Sequence, residues 1–135
     1  MATDLRLFDI TLNASGDHTS DQYKAVVPST ASASGEFAVV TAAAGGRFIG
    51  VLQDKSTAAG IASLIRVAGI TKMQAGASSG MTAALKEGDV VVASTLGQAV
   101  VSTASGTAKM GITLDALGTT STGIIRVLLG VGLTT

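Results

Sequence analysis

The chain has no cysteine, which excludes disulfides, thiolate metal sites and cysteine nucleophiles together. Tryptophan is also absent, and aromatic residues make up only 3% of the 135 residues, so the core must be built from Val, Ile, Leu and Ala. Charged residues are 13%, about half the usual share of roughly 25%. Nine basic and nine acidic residues balance, and no basic block forms, so there is no electrostatic footprint for nucleic acid or an anionic membrane. A surface so poor in charge is weakly protected against association. It fits a protein largely covered by other chains.

Long apolar runs are missing as well. The most apolar stretch, Ile124 to Leu133, is about ten residues and is interrupted by Arg126, whereas crossing a bilayer takes about twenty. The first ten residues carry Asp4, Arg6 and Asp9, without the basic start and unbroken apolar stretch of a signal peptide.

What is present reads as strand and turn. "EFAVVTA" (36–42), "RFIGVLQ" (47–53), "GDVVVAS" (88–94), "QAVVSTA" (98–104) and "TGIIRVLLG" (122–130) are short, rich in β-branched residues and bounded by Gly, Ser, Thr or Asp. No stretch sustains the helical spacing of apolar residues behind a cap, and "SGMTAALKEG" (79–88) allows at most one or two helical turns. The expectation is a mainly β fold with little helix.

One phrase occurs twice. "AVVTAAAGGRFIGVLQD" (38–54) aligns without a gap on "AVVSTASGTAKMGITLD" (99–115). After a one-residue slip, Ile65-Arg66-Val67 falls on Ile125-Arg126-Val127. The repeat, about 36–69 and 98–130, predicts a small β-barrel or sandwich of two similar units, each covering the apolar face of the other. Gly50 and Gly111, inside strands, fit a bulge or a close backbone approach. Arg66 and Arg126, with Asp54 and Asp115, read either as a doubled Asp/Arg site or as charges that cap strands and discourage wrong pairing. The second reading is preferred, because catalysis rarely needs the same pair twice.

The expected organisation is an N-terminal arm and polar loop, residues 1–21, followed by one β domain, 22–135. Within the arm, "LRLFDITL" alternates like a strand. Leu5, Leu7, Phe8, Ile10 and Leu12 are the candidate capsid or subunit interface. They either add an edge strand to a neighbour or complete the protein's own sheet. "PSTASASG" (28–35) reads as a loop.

Chemistry-bearing motifs are lacking. The one histidine, His18, lies beside Asp17 and near Asp21, but one imidazole and two carboxylates make a poor closed metal site, and a solvated loop is expected. No phosphate-binding glycine loop, dinucleotide fingerprint or nucleophile elbow occurs. "TKMQAG" (71–76) lacks the second methionine of a lysine-modified hairpin. The sequence reads as that of a protein without catalytic, metal or cofactor sites, hence not an enzyme.

"ALKEGDVVVASTLGQAVVSTASGTAKMGITLDALGTTSTGIIRVLL", with "FAVVTAAAGGRFIGVLQD" as a first copy, resembles the core phrase of tailed-bacteriophage head decoration, or capsid cement, proteins. The resemblance covers about Gln22 to Leu129. It implies a homotrimer made in the host cytoplasm that binds the major capsid protein on the outer surface of the expanded capsid and stabilises that lattice in the virion. It implies neither a nucleic-acid nor a membrane partner. A tube- or fibre-forming virion subunit and a non-enzymatic ligand-binding β module are the alternatives.

Overall fold

The computed structural model describes residues 8–28, 36–39, 47–76, 83–102 and 108–130. The described residues form nine strands and no helix: β1 (Phe8–Ala14), β2 (Ala25–Pro28), β3 (Glu36–Val39), β4 (Gly50–Leu52), β5 (Ala62–Gly76), β6 (Val90–Ala93), β7 (Ala99–Val101), β8 (Gly111–Thr113) and β9 (Thr122–Leu129). The expected mainly β class is what the chain adopts. Of the 79–88 segment, the described part holds a bridge from Leu85 to Leu117 and no helical turn. Most of "PSTASASG" lies outside the described residues.

The strands close on themselves twice. β1, β3, β2, β4 and β5 pair in that order, and β5 returns to β1. β5, β7, β6, β8 and β9 do the same, and β9 returns to β5. Each five-strand ring has one parallel contact, β1 with β3 and β5 with β7, and is otherwise antiparallel. The long β5 belongs to both rings. Residues 62–68 serve the first and 69–76 the second, and Gly69, at φ 93°, marks the passage between them. Closure gives every described strand a partner on both sides, which suits a weakly charged chain.

The doubled phrase is therefore a doubled ring, but its register differs from the sequence alignment. Val51 pairs with Arg66, and its counterpart Ile112 pairs with Leu128. Leu64, not Arg66, is thus the counterpart of Arg126. The turns explain the shift: Asp54 accepts the N–H of Leu64, ten residues on, whereas Asp115 accepts that of Arg126, eleven residues on. β3 and β7 are offset by one further residue, since Val26 pairs with Val39 while Val91 pairs with Val101. Similarity between repetitive apolar residues cannot resolve such slips; hydrogen-bonded pairing does, because one step exchanges the two faces of a strand.

Gly50 and Gly111 hold equivalent places and share one reason. A Cβ on Gly50 would collide with the Arg66 carbonyl, and one on Gly111 with that of Leu128. The close backbone approach expected from the sequence is found in both rings.

Inside the first ring Ala14, Val26, Leu52 and Ile65 are buried, with Ile10, Leu12 and Ile49 packed against them. The second cluster is larger and includes Met73, Leu85, Val91, Met110, Ile125, Val127 and Leu129. Ala25 and Val51 also belong to it. They neighbour the inward Val26 and Leu52, so strand alternation turns them out of the first ring and onto the second. The rings are thereby fused by apolar contact as well as by β5. Complete burial of a side chain such as Leu52 contributes about 1.5–3 kcal/mol.

Candidate functional site

β1 carries three of the five residues expected at an interface, Phe8, Ile10 and Leu12. Leu5 and Leu7 lie outside the described residues. Phe8 is 62% exposed, whereas Ile10 and Leu12 pack against the first core. Among the described residues, β1 meets β3 only at Asn13 and Ala14, and positions 8–12 pair with β5 alone. The strand completes the protein's own ring through β5, with the exposed Phe8 at its start.

Among the described residues two Asp/Arg pairs form: Asp115–Arg126, as the repeat suggested, and Asp9–Arg66 in place of Asp54–Arg66. Asp9 of β1 receives Arg66 through Nε at 2.8 Å and Nη2 at 2.9 Å, while Arg66 Nη1 donates to the Ile70 carbonyl at 3.2 Å. These bonds stitch β1 to the middle of β5 across 57 positions of sequence. Hydrogen bonding by Arg66 holds the Asp9 carboxyl below its ordinary pKa and raises that of Arg66 in turn. Asp115 accepts from Arg126 Nη2 at 2.6 Å and from its backbone N–H at 2.7 Å, and its pKa is likewise lowered, chiefly by the side-chain bond. Asp54 has no such role. It caps β5 at Leu64 N–H.

Between the rings lies a feature that sequence reasoning did not find. All four glutamines of the chain meet there. Gln98 Nε2 donates to Gln74 Oε1, Gln74 Nε2 to the Gln22 carbonyl, and Gln22 Nε2 to the Gln53 carbonyl. Gln53 Nε2 reaches the Thr71 hydroxyl at 2.9 Å. The backbone joins in through Gln74 N–H to the Tyr23 carbonyl and Ala25 N–H to the Gly97 carbonyl. An amide side chain can donate and accept without charge, so it satisfies strand ends that meet from two rings. Scarcity was the available signal: few polar, uncharged long side chains occur, and three of the four glutamines lie just outside a strand while Gln74 lies near the end of β5.

A groove of about 370 Å³ opens at this junction, and its walls include Tyr23, Gln53, Arg66, Thr71, Lys72 and Arg126. Lys72 Nζ stands over the Tyr23 ring, 6.0 Å from its centroid. Tyr23 itself has φ 66°, a left-handed conformation unusual for so large a residue. Its counterpart in the second ring is Gly88, at φ 87°: Tyr23 N–H bonds the Leu52 carbonyl as Gly88 N–H bonds that of Thr113. The loop geometry is shared, and only the first ring places a side chain at that position, where it lines the groove.

The His18 segment is not the solvated loop expected from its composition. His18 is 8% exposed, its N–H bonds the Ser56 carbonyl, and Nδ1 lies 3.0 Å from Asp21. Burial works against Asp21 ionisation, but bonds from Lys24 and His18 outweigh it and lower the pKa. Asp17 turns away to accept the Thr19 N–H and hydroxyl. Short polar turns closed by side-chain bonds order this segment. Among the described residues no three His, Asp or Glu side chains gather as metal ligands.

No protein-family model matches the chain, and no curated protein does. Among solved structures, the chain is similar to the head fiber gp8.5 N base in bacteriophage phi29. The TM-score is 0.60 and the identity 15%, over 93% of this chain and 95% of that one. At this identity the likeness shows a shared fold. The sequence resemblance pointed to phage head decoration proteins; the structural likeness is to the base of a phage head fibre.

Proposed function

We propose that the protein is a structural component of a phage virion that sits on the outer surface of the head as a homotrimer and reinforces the lattice of the major capsid protein. The observation that supports this most is the likeness to a phage head fibre base along almost the whole of both chains. Low charge, a neutral balance and exposed Phe8, Ile61, Leu64 and Ile124 agree with a surface occupied by neighbours. Cementing needs no chemistry. A ligand that binds only the mature shell stabilises it by its binding free energy, and a trimer engaging several subunits gains avidity.

In this proposal Leu5, Leu7 and Phe8 make the contact, and Ile10 and Leu12 hold β1 in place by packing inward. The test joins two measurements on the full chain: light scattering over a range of concentrations and co-sedimentation with expanded capsids. A stable trimer that sediments with capsids, and loses most of that association on Phe8→Ser while staying folded, is the expected result. A monomer at every concentration that never sediments with capsids overturns it. A second reading, a fibre-forming subunit, draws on the matching structure being part of a head fibre. Open-ended growth in light scattering would select it.

A further inference from the structure

The junction groove holds a charge arrangement that the fold does not require. Lys72 of β5 lies directly opposite Arg126 of β9 in the antiparallel pair. Like charges at opposed positions destabilise a sheet. Asp115 is bonded to Arg126, with Glu87 adding attraction from further away, and Asp9 is bonded to Arg66. Among the described residues Lys72 bonds no carboxylate and has the Tyr23 ring as its neighbour. Two residues along the same strand face, Ile70 is opposed by Leu128, which is 37% exposed. The surface thus presents a pair of cations and then a pair of aliphatic side chains, spaced as alternate residues of an extended chain.

We infer that this groove receives an extended acidic segment of a protein partner, with a Glu or Asp carboxylate between Lys72 and Arg126 and an apolar residue two positions away on Ile70 and Leu128. The carboxylate turns the opposed cations from a repulsion into a shared attraction, and Tyr23 closes the groove beside Lys72. Arg126 meets the incoming group with the side of its guanidinium that Asp115 does not use, since Asp115 engages Nε and Nη2. The assignment rests on the capsid-surface proposal only for the origin of the segment; the chemistry of the groove stands apart from it.

The experiment is an NMR titration of the full labelled chain with a short blocked peptide bearing Glu-Thr-Leu. Its Gln-Thr-Leu analogue and inorganic phosphate are titrated in parallel. The expected result is a set of shifts confined to Tyr23, Thr71, Lys72, Arg126 and Leu128 with the acidic peptide alone. These shifts should weaken with added salt and need about fivefold more peptide in Lys72→Gln, with recovery in Lys72→Arg. Shifts absent from these residues, or spread evenly over all lysines, overturn the assignment. Equal shifts with phosphate overturn it too, because the groove would then be a general anion site. Capsid co-sedimentation of the same variants keeps the two proposals distinguishable. Peptide binding without capsid association defeats the capsid reading alone, and capsid association without peptide shifts defeats the groove alone.

Discussion

The two rings share one hydrogen-bonding plan and fill it differently. Where the second ring sets Ile125 against Met73, the first sets Ser63 against Leu12. Ser63 is buried and hydrogen-bonded to Ser56, so a polar pair sits beside Leu12 where the second ring has the larger Ile125 beside Met73. Where the first ring has Leu52, the second has the buried Thr113, whose hydroxyl donates to the Asp115 carbonyl at 2.7 Å. The second cluster extends across the junction to take in Ala25 and Val51 of the first ring, while the first keeps only Ala14, Val26, Leu52 and Ile65 fully buried. Backbone closure therefore decides the shape of each ring, and side-chain volume decides how strongly it holds. The second ring is the anchor. The first depends more on the Asp9–Arg66 bonds and is the one that carries exposed Phe8.

The sharpest way to break this symmetry is at its most constrained shared point. Gly50→Val and Gly111→Val each push a side chain into a facing carbonyl, and each should cost about 3 kcal/mol or more. The loss should be greater for Gly111, beside the larger core, and urea unfolding monitored by circular dichroism reads both. Equal, small losses would mean that the rings relax independently of their cores.

A smaller effect separates the rings by pH. Arg66 lowers the Asp9 pKa, so the pair's contribution is fully present above the ordinary value of 3.8 and is lost as pH falls through the lowered one. Asp9→Asn removes about 1 kcal/mol at neutral pH and flattens that acid loss. Amide hydrogen exchange should show the β1–β5 seam opening before the β5–β9 seam in acid, and in Asp9→Asn already at neutral pH. Simultaneous opening of both seams would contradict the unequal filling.

The smallest expected effect concerns the matched loops. A Cβ on Gly88 meets nothing within 4 Å, so Gly88→Ala costs only its left-handed backbone, about 1 kcal/mol. Tyr23→Ala keeps the backbone conformation that the first ring already tolerates, and its cost should come from lost packing. Thermal unfolding of the two variants side by side measures the difference.

Much of this was legible in the chain. Short β-branched runs between small polar residues announced strands, since alternation and turn chemistry act over a few residues. The doubled apolar-Gly-apolar phrase announced two like units, and Gly50 and Gly111 marked their tight contacts. The length of β5 was not legible, because Gly69 interrupts its pattern where the strand changes rings. Nor was the order of the His18 segment, whose polar composition is that of a loop while its bonds reach back to Ser56.

The sequence by itself determined the absence of cysteine chemistry, the mainly β class and the twofold layout, because each follows from residue type or from spacing over a short window. Only the tertiary structure decided that Arg66 joins Asp9 while Arg126 joins Asp115, that the four glutamines meet, and that Lys72 lies beside Arg126 in the wall of a groove. Those pairings depend on strand register and on the closure of both rings through β5. A one-residue slip would redirect every side chain involved, and similarity among repeated small apolar residues carries too little information to forbid it.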